Sequence, residues 1–212
     1  MAKSPDPKDL TPAARRLVDA AEDLIGVHGV ANVSNVQIAK AAGHRNKYAV
    51  QYHFGALEGL IEAIFDDRLS RINARRRQML DALADRPEAN VRDYVAALIL
   101  PMHEEVGTDG RHRYTRFIGR IMDTPLALSV WQESVHSSSA LATRQAIRDR
   151  CPQYSDDVFA LRYELALEII NGTFRTMDRG LEAETLRKGL SHDEVQAELL
   201  DIAMNLVTRF FT

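Results

Sequence analysis

The sequence predicts an all-α protein, and three observations predict it. Apolar residues recur at intervals of three and four through most of the 212 residues, the spacing that gives a helix one buried face. No stretch shows the strict apolar-polar alternation of a half-buried strand. Pro87, Gly107, Gly110, Pro125 and Pro152 fall between the periodic stretches, where helix breakers belong.

Residues 1 to 10 hold two prolines, two lysines and two aspartates. Such a segment is too polar to pack, so it reads as a flexible N-terminal arm, and Lys3 and Lys8 as part of a solvated tail. Thr11 then caps a helix with Pro12 at its first position. Ala14, Leu17, Val18, Ala21, Leu24 and Ile25 share one face as far as about His28. Arg15 and Arg16 stand in its first turn against the helix dipole, a mild cost compatible either with a phosphate contact or with ordinary surface exposure.

The stretch from Asn35 to Phe54 is the most informative. Ser34 sits at an N-cap with Gln37 three residues on, a capping box that fixes the start of a short helix. Ile38, Ala39 and Ala42 give that helix its apolar face, and Gly43 ends it cheaply because glycine tolerates positive φ. Ala49, Val50 and Phe54 then repeat at helical spacing, so two short helices cross over a tight turn as a helix-turn-helix. Arg45, Asn46, Lys47, Tyr48, Gln51, Tyr52 and His53 remain for the outer face, a set of donors and flat rings suited to phosphates and base edges. No Asp or Glu occurs between Asp23 and Glu58. Local basicity in a chain of formal charge −3 is the footprint of a focused nucleic-acid contact, whereas a uniformly basic coat is excluded.

Leu57, Leu60, Ile61, Ile64, Phe65, Leu69, Ile72, Met79 and Leu83 predict a long connector helix, with Pro87 beyond it. Arg75, Arg76 and Arg77 fan around its axis and read as solvated surface. Further helices are expected over about 89–106, 111–123, 125–150, 156–179 and 192–211, with Pro101 kinking or ending the first of them. Val158, Leu161, Leu165, Leu167, Ile169, Ile170 and Phe174 on one of the last two, and Val195, Leu199, Leu200, Ile202, Ala203, Leu206, Val207 and Phe210 on the other, exceed one narrow stripe. Those helices are either central in the monomer or paired with a second copy as a four-helix bundle.

With this arrangement the chain resembles the tetracycline-repressor (TetR) family of bacterial transcriptional regulators. The resemblance rests on residues 11 to 65: a first helix ending in GVHGV, then SNVQIAKAAG, AVQYHFG and EGLIEAIF. It implies a homodimer joined through the last two helices, a double-stranded operator DNA as partner, and a small-molecule effector site in the C-terminal domain. Carried onto matching positions, it implies DNA contacts from Lys47, Tyr48, Ala49, Gln51, Tyr52 and His53, with Ser34 near a phosphate. The turn HRNKY is one residue longer than the common form, and Ala56 and Leu57 stand where Ser-Lys usually opens the connector.

Catalysis finds no support. The seven histidines show no metal-binding spacing, and neither a phosphate-binding glycine loop nor a GxSxG elbow occurs. No catalytic residue, metal or cofactor is predicted, and His103-Glu104-Glu105 reads as a surface patch. The single cysteine, Cys151, precludes an intramolecular disulfide and reads as an incidental loop residue. With no leader-like N-terminus and no apolar run long enough for a bilayer, a cytoplasmic protein without a membrane partner is expected.

The domains expected are therefore the arm at 1–10, a three-helix helix-turn-helix DNA-binding domain at 11–55, and a helical effector-binding and dimerisation domain at 56–212. Tyr94, Met102, Phe117, Met122, Trp131, Phe174 and Met177 are the large, adaptable side chains available to line an effector site. The reading is a ligand-released repressor. The rival is an α-helical ligand carrier or enzyme with an incidental helix-turn-helix-like hairpin.

Overall fold

The computed structural model describes residues 10–106, 111–121, 124, 139–182 and 191–212. Among them are nine α-helices and no strand: α1 (Pro12–His28), α2 (Asn35–Ala41), α3 (Ala49–Phe54), α4 (Leu57–Ala84), α5 (Val91–His103), α6 (Arg113–Ile121), α7 (Ser139–Asp149), α8 (Asp156–Glu182) and α9 (His192–Arg209). None of the described helices is long and apolar enough to cross a membrane.

Local chemistry sets most of the helix starts. Thr11 Oγ1 accepts the Ala14 N–H at 3.2 Å to open α1. Asn90 Oδ1 accepts the Arg92 N–H at 2.9 Å while the Asp93 carboxylate accepts the Asn90 N–H at 2.8 Å, so α5 begins at Val91, two residues later than periodicity alone suggests. Ser191 and Glu194 form the same reciprocal cap on α9. Only the last part of the helix expected over 125–150 falls within the described residues, as α7.

Within the described residues the chain forms two compact units, one comprising 10–71 with 116–124 and the other 72–115 with 139–212. In the first, Leu17, Val18, Ala21 and Ile25 of α1 join Ile38 of α2, Val50 and Phe54 of α3, and Leu60, Ile61 and Ile64 of α4 in one buried core. Phe65 of α4 meets Phe117 of α6 edge to face at 5.4 Å. Arg15 has a partner on α4: its Nη1 donates to the buried Asp67 carboxylate at 3.0 Å. Arg16 Nε donates to the Ala42 carbonyl at 3.2 Å and so ties α1 to the end of α2.

The second unit is centred on Tyr94, Val95, Leu98 and Ile99 of α5, Ile147 of α7, Phe159, Ala166, Ile170 and Phe174 of α8, and Val207 of α9. Of the two outcomes expected at Pro101, ending the helix does not occur: α5 continues through it to His103. Two expectations are corrected here. Arg76 is not solvated surface: it is 3% exposed, since its helical position faces α5 and the backbone carbonyls there draw its guanidinium inward. Cys151 is no incidental loop residue. It is fully buried, its Sγ lies 3.2 Å from the Phe211 carbonyl oxygen, and burial pushes its thiol pKa up.

Candidate nucleic-acid interface

The helix-turn-helix is built by contacts close in sequence. Ser34 and Gln37 cap α2 reciprocally, with the Gln37 N–H 3.3 Å from Ser34 Oγ and the Ser34 N–H 2.8 Å from Gln37 Oε1. Gly43 stands at φ 71°, a left-handed conformation that side chains strain. It lets the His44 N–H reach back to the Ala39 carbonyl at 2.9 Å. Asn46 Oδ1 then accepts the Tyr48 N–H at 3.0 Å, and the Asn46 carbonyl accepts the Ala49 N–H at 3.2 Å, which aims the first turn of α3.

Ala49, Val50 and Phe54 of α3 are buried, leaving the opposite side outward. Gly59 sets how closely α4 follows. A methyl group at that position would overlap the Phe54 carbonyl oxygen, so only glycine permits the approach.

Arg45, Asn46, Lys47, Tyr48, Gln51 and Tyr52 are all exposed, Tyr52 at 81%. Lys47 Nζ lies 5.0 Å from the centre of the Tyr48 ring, and the Tyr52 and His53 rings meet edge to face at 4.9 Å. Two residues have partly structural duties. Asn46 gives its oxygen to the turn and keeps its amide N–H donors for other partners. His53 is half-buried, and burial followed by the neighbouring His44 holds its pKa below the ordinary histidine value. Ala49 is 2% exposed and packs inward, presenting no side chain to this face.

His44 escaped the sequence reading. Its Nε2 lies 3.1 Å from the Ala13 carbonyl oxygen and pins the turn to α1. A histidine directly after the C-terminal glycine of α2 was the available signal, but its partner lies 31 positions away.

Below the reading pair, Arg68 of α4 donates to the buried Glu22 of α1 through Nη2 at 2.6 Å and Nε at 2.9 Å, and to Asp19 at 3.0 Å. Burial raises the Glu22 pKa, and the Arg68 hydrogen bonds oppose that rise. This bidentate pair fixes α1 against α4 within the first unit.

The side chains predicted for an effector site are distributed differently. Met122 and Trp131 lie outside the described residues. Phe117 belongs to the core of the first unit, against Phe65. Tyr94, Phe174 and Met177 share the core of the second unit, with Met102 packed against it. There Phe174 stacks on His112 at 4.8 Å and on His103 at 6.0 Å, so His103 is part of a ring stack and not of a surface patch. The His103 Nδ1 and His112 Nε2 atoms are 3.1 Å apart, and Glu104 is taken by Arg75 at 2.7 Å. Among the described residues no three His, Cys, Asp or Glu side chains converge as metal ligands.

Solved structures share this arrangement. A chain described as a TetR-family transcriptional regulator from Rhodococcus sp. superimposes with a TM-score of 0.58 at 15% identity, over 93% of this chain and 100% of that one. The fold is that of the TetR regulators. A transcriptional regulator from Rhodococcus sp. Rha1 matches with a TM-score of 0.57 at 16% identity, over 92% and 96% of the two chains. No protein-family model and no curated protein matches the sequence. The TetR fold thus extends the resemblance seen in residues 11 to 65 across nearly the whole chain, and at these identities it is the fold that is shared.

Proposed function

We propose that this chain is a TetR-type DNA-binding transcriptional regulator, a cytoplasmic repressor rather than an enzyme, which grips a palindromic operator as a homodimer and is released by a small-molecule effector. The observation that carries the reading is the outer face of the helix-turn-helix. Arg45, Lys47, Tyr48, Gln51 and Tyr52 stand exposed together on a TetR fold, in a stretch without a carboxylate between Asp23 and Glu58. Lys47 and Arg45 supply phosphate partners, while Gln51 and the two tyrosines supply groups for base edges. Ser34, Asn46 and His53 flank them. Residues 11–55 serve as the reading domain, and 56–212 as the effector-binding and dimerisation domain.

One such motif per chain needs a second copy, because half-sites about 34 to 36 Å apart are read together. Val158, Leu161 and Leu165 of α8, with Ile202 and Leu206 of α9, are large apolar side chains left exposed on the last two helices, a face suited to a four-helix contact between copies. An effector that prefers a dimer spacing unable to span both half-sites would deplete the DNA-competent population by its differential affinity.

The test is selection from random duplexes at moderate salt, repeated with added metabolites. A recovered palindrome whose affinity falls steeply with salt supports the reading. Absence of duplex affinity in every condition would overturn it in favour of a helical ligand carrier.

A further inference from the structure

Three formally charged side chains, Glu22, Asp67 and Arg76, are buried among the described residues. Glu22 is paired with Arg68, and Asp67 with Arg15 and Arg71. Arg76 is different. Its Nε donates to the Ala97 carbonyl at 3.2 Å, its Nη1 to Asn73 Oδ1 at 3.2 Å and its Nη2 to the Leu98 carbonyl at 3.4 Å. All three acceptors are neutral, and no carboxylate pairs with Arg76 among the described residues.

These bonds occupy three of the five N–H donors of the guanidinium and leave one on each terminal nitrogen. They satisfy hydrogen bonds without balancing the charge. An unpaired charge out of water is costly to hold, and the groups that act on it electrostatically are phenols, Tyr163 and Tyr114. Both are buried, and desolvation pushes the Tyr163 pKa up to about 12, so Tyr163 supplies no anion near neutral pH.

The surroundings are polar at one point and apolar elsewhere. Asn73 also accepts the Ser139 hydroxyl at 3.1 Å, and Thr143 bonds the Ser139 carbonyl at 2.9 Å one turn further along α7. Ala97 and Leu98, whose carbonyls the guanidinium meets, belong to the apolar second core, and Phe159 lies with its ring centre 6.0 Å from that of Tyr163. The Nε bond to Ala97 could be made by a neutral donor, so it does not account for a permanent cation at this position.

We propose that the second unit takes as its effector a small organic carboxylate, whose anionic head pairs with the free edge of the Arg76 guanidinium and whose body is apolar. This rests on the reading of residues 56–212 as the effector domain. Two donors on adjacent terminal nitrogens match the two oxygens of a carboxylate. One negative charge balances one guanidinium, whereas a phosphate dianion would leave a surplus charge buried. The aromatic and aliphatic neighbours favour an alkyl or aryl remainder over a sugar or a polyamine.

The experiment compares acids with their uncharged amides on the full-length protein: benzoate, hexanoate and octanoate against benzamide, hexanamide and octanamide, read by melting temperature. At least one acid is expected to raise Tm saturably, by roughly 5 °C at a hundredfold excess over Kd, and its amide to have a far smaller effect. Arg76→Gln keeps a neutral donor for the Ala97 carbonyl and is expected to lose the response. If that variant fails to fold, the acid–amide difference on the unmodified protein decides alone. Equal shifts from acid and amide, an undiminished response in Arg76→Gln, or no response to any of the acids would each overturn the proposal. Duplex selection on the same preparations keeps the two readings separate: DNA binding without acid selectivity removes only the carboxylate, and acid selectivity without DNA binding removes only the regulator.

Discussion

Arg76 Nε donates to the carbonyl oxygen of Ala97, the residue four positions before Pro101. Proline has no N–H, so within α5 the Ala97 carbonyl lacks the donor that an ordinary residue at position 101 would supply. A side chain from α4 takes that place, and the helix runs through its proline to His103. The two sites should therefore be coupled. Pro101→Ala is expected to stabilise the protein more in an Arg76→Leu background than in the native one, by about 1 kcal/mol. Urea unfolding of the four proteins measures this, and additive effects would show that the carbonyl does not depend on Arg76.

Arg68 and Glu22 make a buried pair that breaks badly from one side. Arg68→Met leaves the fully buried Glu22 carboxylate without its partner, at a cost of about 3–5 kcal/mol. Adding Glu22→Leu should recover most of it. The sign of the pH dependence follows from the Glu22 pKa, which burial already raises and only Arg68 opposes. With Arg68 gone, the folded state holds the proton more tightly than the unfolded chain. The penalty relative to native protein should then be small near pH 5 and grow as pH rises toward 7, and a penalty that shrinks with rising pH would contradict this account.

Gly59 and Gly43 test two different reasons for glycine. Gly59→Ala drives a methyl group into the Phe54 backbone at the end of α3, with an expected loss of about 1–3 kcal/mol. Any duplex affinity should fall further than this stability loss accounts for, because α3 itself is displaced. Gly43→Ala meets nothing within 4 Å but must adopt φ 71°, costing about 1 kcal/mol of backbone strain. Denaturation curves together with duplex titrations would separate the steric from the conformational case; similar affinity losses at both sites would argue against it.

Lys47 is exposed beside Tyr48, and as a phosphate partner it should act without regard to sequence. Lys47→Ala is expected to weaken binding to selected and random duplexes alike, and to reduce the slope of log affinity against log salt by about 1. Gln51→Ala should instead lower affinity for the selected site and leave random duplexes little changed. A Lys47 variant with an unaltered salt slope would remove that residue from the phosphate contacts.

Leu161 and Leu165 stand on one exposed face of α8. Replacing both with glutamate adds charge where a homodimer would bury apolar surface, and costs the monomer core little. Sedimentation is expected to show monomers with native helical content. A variant that remains dimeric would place the contact between copies elsewhere.

What could be read from the chain tracks the distance over which each feature is decided. The reading pair was legible because Ser34 and Gln37, Gly43, and the spacing of Ile38, Ala39, Val50 and Phe54 act within a few residues. Helix starts were legible at Thr11 and Ser34, whose caps stand next to their partners, but not at Asn90, where apolar periodicity begins one residue before the Asn90–Asp93 cap. Arg75 to Arg77 were not, since three arginines in a row look alike in sequence. Only the placement of α5 and α8 distinguishes a half-exposed partner of Glu104 from the buried Arg76. Arg15 was ambiguous for the same reason, its partner Asp67 lying 52 positions away.

The sequence by itself determined the all-α class, the helix-turn-helix, and the outward set of Arg45, Lys47, Tyr48, Gln51 and Tyr52, because caps, glycine conformations and apolar periodicity are short-range properties of the chain. The tertiary structure alone decided that Cys151 is core, that His103 and His112 stack with Phe174, and that Arg76 mends the gap left by Pro101 while its charge stays unbalanced. Those outcomes depend on which helices lie against one another, and a side chain's burial and electrostatic environment are set by neighbours that its own segment does not encode.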